Sequence, residues 1–145
     1  MRFLVVVFIS LFVLNSCNTE PSVDAKGVTI DEVFYPTMVL DGKDRWKANA
    51  ATIEGVAKLK KQLAEFNPES QSYEVLQSNL RDEFALIFKN CTMKGDAHDM
   101  LHNYLLPFME LFGNLTVGDE DQKEKTLSAI KKHLERFDDY FESEV

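Results

Sequence analysis

The sequence lacks the short motifs by which many enzymes and cofactor proteins are recognised. It contains no Cys-x-x-Cys-His haem attachment, no nucleophile elbow, no glycine-rich phosphate loop and no Glu-x-x-His pair of a di-iron bundle. Positive charge is also scarce, because 16 Lys and Arg stand against 24 Asp and Glu, which gives a formal net charge of -8. An acidic surface argues against nucleic acid and against a basic membrane-surface patch. We therefore expect a non-enzymatic protein that binds no nucleic acid.

Cysteine is scarce: the sequence contains only Cys17 and Cys91. Cys17 lies in a segment that is typical of a targeting signal. A basic start and an almost wholly apolar run over residues 4–14 precede it, and this run is too short to span a bilayer as a mature helix. The segment Leu14-Asn15-Ser16-Cys17 resembles the bacterial lipobox, although Asn15 departs from the usual small residue. The resemblance implies cleavage before Cys17 and lipidation of its thiol. The alternative is an ordinary secretory signal followed by a coincidental cysteine.

Lipidation of Cys17 would place the mature chain outside the cytoplasm, attached to the membrane by its lipid. We predict a periplasm-facing protein, on the outer rather than the inner membrane. The corresponding division of the chain is a signal peptide (1–16), a flexible tether (17–27), an irregular segment packed on the helices (28–43) and a helical domain (44–145). Cys91 would then be the only thiol, so it could be buried, bound to a metal or paired between molecules.

The helical domain is predicted from four stretches in which apolar residues recur about every 3.6 positions. The stretches run roughly over residues 44–66, 69–90, 97–115 and 119–141. Long helices joined by short loops indicate an all-α, antiparallel up-down-up-down four-helix bundle. In this topology the starts of the first and third helices and the ends of the second and fourth share one end of the bundle.

One stripe of each helix supplies the predicted core. The stripes are Trp46, Ala50, Ile53, Val56, Ala57 and Leu63; Tyr73, Leu76, Leu80, Phe84 and Ile87; Leu101, Leu105, Phe108, Met109 and Phe112; and Leu127, Ile130, Leu134, Phe137 and Phe141. Pro107 lies inside the third helix and predicts a kink near Asn103. We expect His133, beside the fourth stripe, to be solvated or to cap a helix.

The shared end of the bundle gathers the residues with the most distinctive chemistry. They are Trp46, Cys91, Met93, His98, His102, Tyr140 and Phe141. Cys91 and Met93 carry soft sulfur donors, and imidazole also suits copper and zinc. With Asp96 as N-cap and Asp99 at the capping-box position, His98 and His102 would lie one turn apart, about 6 Å between Cβ atoms. The pattern predicts a site for a soft metal ion. Copper is the favoured ion, and zinc is the next if Met93 is not a ligand.

Two other interpretations remain open at this point. In the first, the chain is an interaction or structural lipoprotein that binds another envelope protein and no metal, and the two histidines are held by hydrogen bonds. In the second, His98 or His102 binds a b-type haem together with a methionine. We rank this last, because two histidines at i and i+4 on one helix cannot bind one haem from opposite faces.

The helical domain also resembles a known group of sequences. The segments Trp46-Lys47-Ala48-Asn49 and Cys91-Thr92-Met93-Lys94-Gly95, followed by His98, Leu101-His102 and Pro107, are similar to a group of small uncharacterised lipoproteins from Bacteroidetes-type bacteria. The similarity covers the bundle and is most specific at Cys-Thr-Met-Lys-Gly. It implies no particular activity, so the predicted function rests on the residues themselves.

Overall fold

The computed structural model describes residues 36–144, and four long helices account for most of them. The elements in chain order are β1 (Trp46–Ala48), α1 (Ala50–Glu65), α2 (Tyr73–Asn90), α3 (Asp96–Asn114), α4 (Glu120–Glu135), the single turn α5 (Phe137–Tyr140) and β2 (Phe141–Ser143). The predicted all-α four-helix bundle is confirmed. Within residues 36–144, no helix is long and apolar enough to cross a membrane.

The four long helices form a closed ring of neighbours around one core. Contacts join α1 to α2, α2 to α3, α3 to α4 and α4 back to α1. Aromatic rings dominate the centre: Phe84 meets Phe108 and Phe112 edge-on, with ring centroids 6.0 and 5.4 Å apart. Such edge-to-face pairs add to the stabilisation from burial alone. The core is therefore continuous across α2 and α3.

Two three-residue strands close the end of the bundle where α1 begins. β1 pairs in parallel with β2, with Trp46 opposite Phe141 and Ala48 opposite Ser143. The strands shorten the helices relative to the sequence prediction. α1 begins at Ala50 rather than near Asp44, and α4 ends at Glu135 rather than near Phe141. Residues 46–48 and 141–143 pair with each other instead of extending these helices, and α5 occupies the stretch between α4 and β2.

The start of α1 is also tied to the end of α2. Asn49 is 6% exposed; its amide nitrogen donates to the Asn90 carbonyl oxygen (3.1 Å), and its side-chain oxygen accepts from the Thr52 hydroxyl (2.7 Å). Farther along, a side chain at Gly55 would overlap Ile87, so the glycine allows α1 and α2 to approach closely.

The predicted stripes hold to different degrees. Every predicted core residue of α2 is buried, as is every one in the stripe from Leu127 to Phe141. In the third stripe Met109 was placed wrongly, because it is 62% exposed. In the first stripe Ala50 and Ala57 are exposed, and Leu59 occupies the core instead. Residues 28–35 of the predicted irregular segment lie outside the described residues. Within the rest of it, Met38 packs against the core.

Candidate metal site at the turn between α2 and α3

The turn between α2 and α3 depends on one glycine. α2 ends at Asn90, Cys91 follows as its C-cap residue, and α3 begins at Asp96. Gly95 is the residue before α3 and has φ 62° and ψ -148°, a region that is essentially restricted to glycine. The prediction that Asp96 is the N-cap was therefore wrong by one position: Asp96 is the first helical residue, and the backbone turn is made by Gly95.

This turn brings the only described thiol next to an imidazole. Cys91 Sγ lies 3.6 Å from His98 Nδ1, and both residues are half-buried. Cys91 comes from the end of α2 and His98 from the first turn of α3, so the contact joins two elements. The separation fits a hydrogen bond between a thiol and an imidazole nitrogen, in which sulfur is a weak partner.

The second imidazole lies directly beyond the first. The ring centroids of His98 and His102 are 4.3 Å apart, with 51° between the ring planes. The edge of Phe88, from α2, meets His102 with centroids 5.1 Å apart. His102 is therefore held between an imidazole and an aromatic ring, and it too is half-buried.

The other residues predicted for this end are placed less directly. Met93 is half-buried and packs against the hydrophobic core. Trp46 and Phe141 pair across the strand ladder, and Asn49 beside them reaches Asn90 at the end of α2. The predicted meeting of these helix ends is thus confirmed. Over residues 36–144, however, no three His, Cys, Asp or Glu side chains are placed so that they could hold one ion together.

His133 is the histidine whose role the sequence prediction missed. It is 4% exposed, and its Nε2 donates to the Tyr104 carbonyl oxygen at 2.8 Å. The two rings stack with centroids 4.7 Å apart, and the Tyr104 hydroxyl donates back to the His133 carbonyl oxygen at 3.0 Å. Burial lowers the pKa of His133, because the charged imidazolium is disfavoured away from water. The expectation of a solvated or capping residue was wrong.

The bond from His133 lies beside the proline of α3. Pro107 is buried in the helix, which continues through it, and it has no N–H to donate to the carbonyl one turn earlier. The neighbouring Tyr104 carbonyl receives the imidazole N–H from α4. The spacing of His133 from Ile130 and Phe137, three and four positions, could have placed it on the buried stripe.

Comparison with known proteins gave no match to a family model, to a curated protein or to a solved structure. The lipobox and Cys17 lie outside the described residues. Among the described residues, the α2–α3 turn brings the predicted donor side chains together.

Proposed function

We propose that this chain binds Cu(I) at the α2–α3 turn through the Cys91 thiolate and the His98 imidazole. The observation that carries the proposal is the 3.6 Å separation of Cys91 Sγ and His98 Nδ1. Thiolate and imidazole bonds to zinc are about 2.3 and 2.0–2.1 Å long, so the two donor atoms lie about 3.5–3.8 Å apart on an ion with trigonal or tetrahedral bond angles. The observed separation therefore fits an ion that also takes a further donor, and such an ion could replace the proton between the two atoms with little movement.

The small number of donors favours copper over zinc. Protein zinc sites use three or four side-chain ligands, and no such group is formed by the described residues. Cu(I) is a soft ion that selects thiolate and thioether and can be held by few ligands. In the proposal, Cys91 and His98 are the primary ligands, and His102, whose ring centroid lies 4.3 Å from that of His98, and Met93 are the candidates for a further donor.

We also propose that the domain works in the cell envelope on a lipid carried by Cys17, as the Leu14-Asn15-Ser16-Cys17 segment suggests. The tether over residues 17–27 would separate the lipid from the bundle. As part of the same proposal, this chain is one of the small lipoproteins of Bacteroidetes-type bacteria that it resembles. If Cys17 carries the lipid, Cys91 has no other cysteine of this sequence with which to form an internal disulfide. Its thiol then remains available to a metal.

A second candidate function is the binding of another envelope protein without metal. The observation in its favour is a set of exposed apolar side chains on α2 and α3: Phe88, Leu106 and Met109 are 37%, 49% and 62% exposed. Leu106 and Met109 follow His102 by four and seven positions on α3, so they share one face of that helix. In this candidate the imidazoles stabilise the turn and bind no ion.

An anaerobic titration with Cu(I) distinguishes the two candidates. The purified chain, without a histidine tag, should bind about one equivalent, and Cys91→Ser and His98→Ala should each weaken binding by at least about tenfold because each removes a primary ligand. Thr92→Ala is the matched control, since Thr92 is exposed and adjacent to Cys91. Far-UV circular dichroism verifies that each variant is folded. Equal affinity in the wild type and in the Cys91→Ser/His98→Ala double variant would eliminate the copper site.

A further inference from the structure

The candidate donors lie at the surface of the bundle, and this affects how an ion bound there could leave. Cys91, Met93, His98 and His102 are all half-buried, whereas Leu101, one position before His102, is 1% exposed. Among the residues that connect the two helices, Thr92, Lys94 and Gly95 are exposed. An ion bound to Cys91 and His98 would therefore lie at the rim of the domain and not inside its core.

The donor set also leaves coordination positions open. Two primary ligands do not enclose an ion, in contrast to the four ligands that close a structural zinc site. A soft ligand from solution could bind the ion before either protein ligand had left. Exchange of this kind needs no unfolded intermediate.

The end of α2 and the start of α3 are held in place by backbone contacts, so release of an ion would not require the helices to move. The carbonyl of Asn90, one residue before Cys91, is held by the Asn49 amide, and His98 lies in the first turn of α3 behind Gly95. Only side chains and the incoming ligand need to rearrange. These features are those of a site that passes an ion on rather than one that stores it.

We infer that the α2–α3 turn is an exchange site, which gives up Cu(I) by direct ligand substitution to soft thiol-bearing acceptors; this inference rests on the proposed copper function. The incoming thiol binds Cu(I) as its thiolate. The Cu–N bond to His98 and the Cu–S bond to Cys91 then break, and the proton lost by the incoming thiol is taken up by Cys91. Copper stays Cu(I) throughout, so no oxidant or reductant is consumed.

The test is the rate at which loaded protein transfers copper to a small chromogenic Cu(I) chelator. The full chain carrying one equivalent of Cu(I) is mixed anaerobically with excess bicinchoninate in a stopped-flow instrument. Direct substitution predicts that the observed rate doubles whenever the chelator concentration doubles. A small thiol added as a second acceptor should raise the rate in the same concentration-dependent way.

Two variants sharpen the measurement. His98→Ala should raise the transfer rate several-fold, because one protein ligand no longer has to be displaced. Leu86→Ala is the control, since Leu86 is an exposed apolar residue of α2 outside the candidate donor set, and its transfer rate should equal that of the wild type. A rate that reaches a plateau independent of chelator concentration would overturn the exchange site while leaving copper binding intact. Failure to load any Cu(I) would overturn both proposals.

Discussion

The three histidines of this sequence occupy two kinds of environment. The buried one has a structural role, and the two half-buried ones belong to the proposed binding site. His133 is enclosed between α3 and α4, where it stacks on Tyr104 and donates to a backbone carbonyl. His98 and His102 are half-buried at the rim, one beside a thiol and the other beside an exposed phenylalanine. A buried imidazole with a backbone partner holds two helices together, whereas His98 and His102 keep access to solvent, as the proposed copper site requires. The following predictions test this division.

The largest effect is expected on stability at His133. His133→Ala should lower the free energy of unfolding by about 2–4 kcal/mol, because it leaves a cavity and removes the hydrogen bond from the imidazole to the Tyr104 carbonyl. His98→Ala should cost less than about 1 kcal/mol, as expected of a half-exposed residue. Urea unfolding followed by circular dichroism measures both values. Equal losses in the two variants would remove the distinction between the environments.

A comparison of two glycines tests whether the turn itself positions the thiol and the imidazole. Gly42 and Gly95 have φ values of 63° and 62°, and an added Cβ would meet no atom within 4 Å at either position. Gly42→Ala and Gly95→Ala should therefore each cost about 1–3 kcal/mol through backbone strain alone. Only Gly95→Ala should also weaken Cu(I) binding, because Gly95 lies between Cys91 and His98. If the Gly42 variant lost copper to the same extent, the geometry of the turn would not be what matters.

The smallest effect is the contribution of His133 to the pH dependence of stability. Its pKa is lowered in the folded state, so the unfolded chain takes up a proton first as the pH falls through its ordinary value of about 6.5. The free energy of unfolding should then decrease below that pH, by at most about 1.4 kcal/mol per pH unit from this group. His133→Gln should remove this part of the slope between pH 7 and pH 5. An unchanged slope in the variant would assign the effect to other groups.

Much of the fold was predictable because its signals are local. The apolar spacing of α2 and of the stripe from Leu127 to Phe141 identified core residues without error. The strands were not predictable, since three residues carry no periodicity and their partner is distant in sequence. Met109 was misplaced because the apolar surface of α3 is wider than the face that the core can cover. Leu106 and Met109 stay exposed there.

The site was predicted in part for the same reason. The spacing of Cys91, His98 and His102 across a short turn implied that they would be neighbours, and the structure places them together. The orientation of Met93 and the backbone conformation at Gly95 depend on how the two helices meet, which no local pattern encodes. The prediction for His133 is wrong because a polar residue beside an apolar stripe usually faces solvent, whereas this imidazole donates to the Tyr104 carbonyl near Pro107.

The strand ladder also limits how early one end of the bundle can close as the chain emerges. Lys47 of β1 and its partner Glu142 of β2 are 95 positions apart, and all four long helices are made between them. A chain that emerges from its N-terminal side can pair neighbouring helices early, but β1 has no strand to pair with until β2 has emerged. The end of the bundle that carries Trp46 is therefore the last to close, and until then the start of α1 depends on contacts such as the bond from Asn49 to the end of α2.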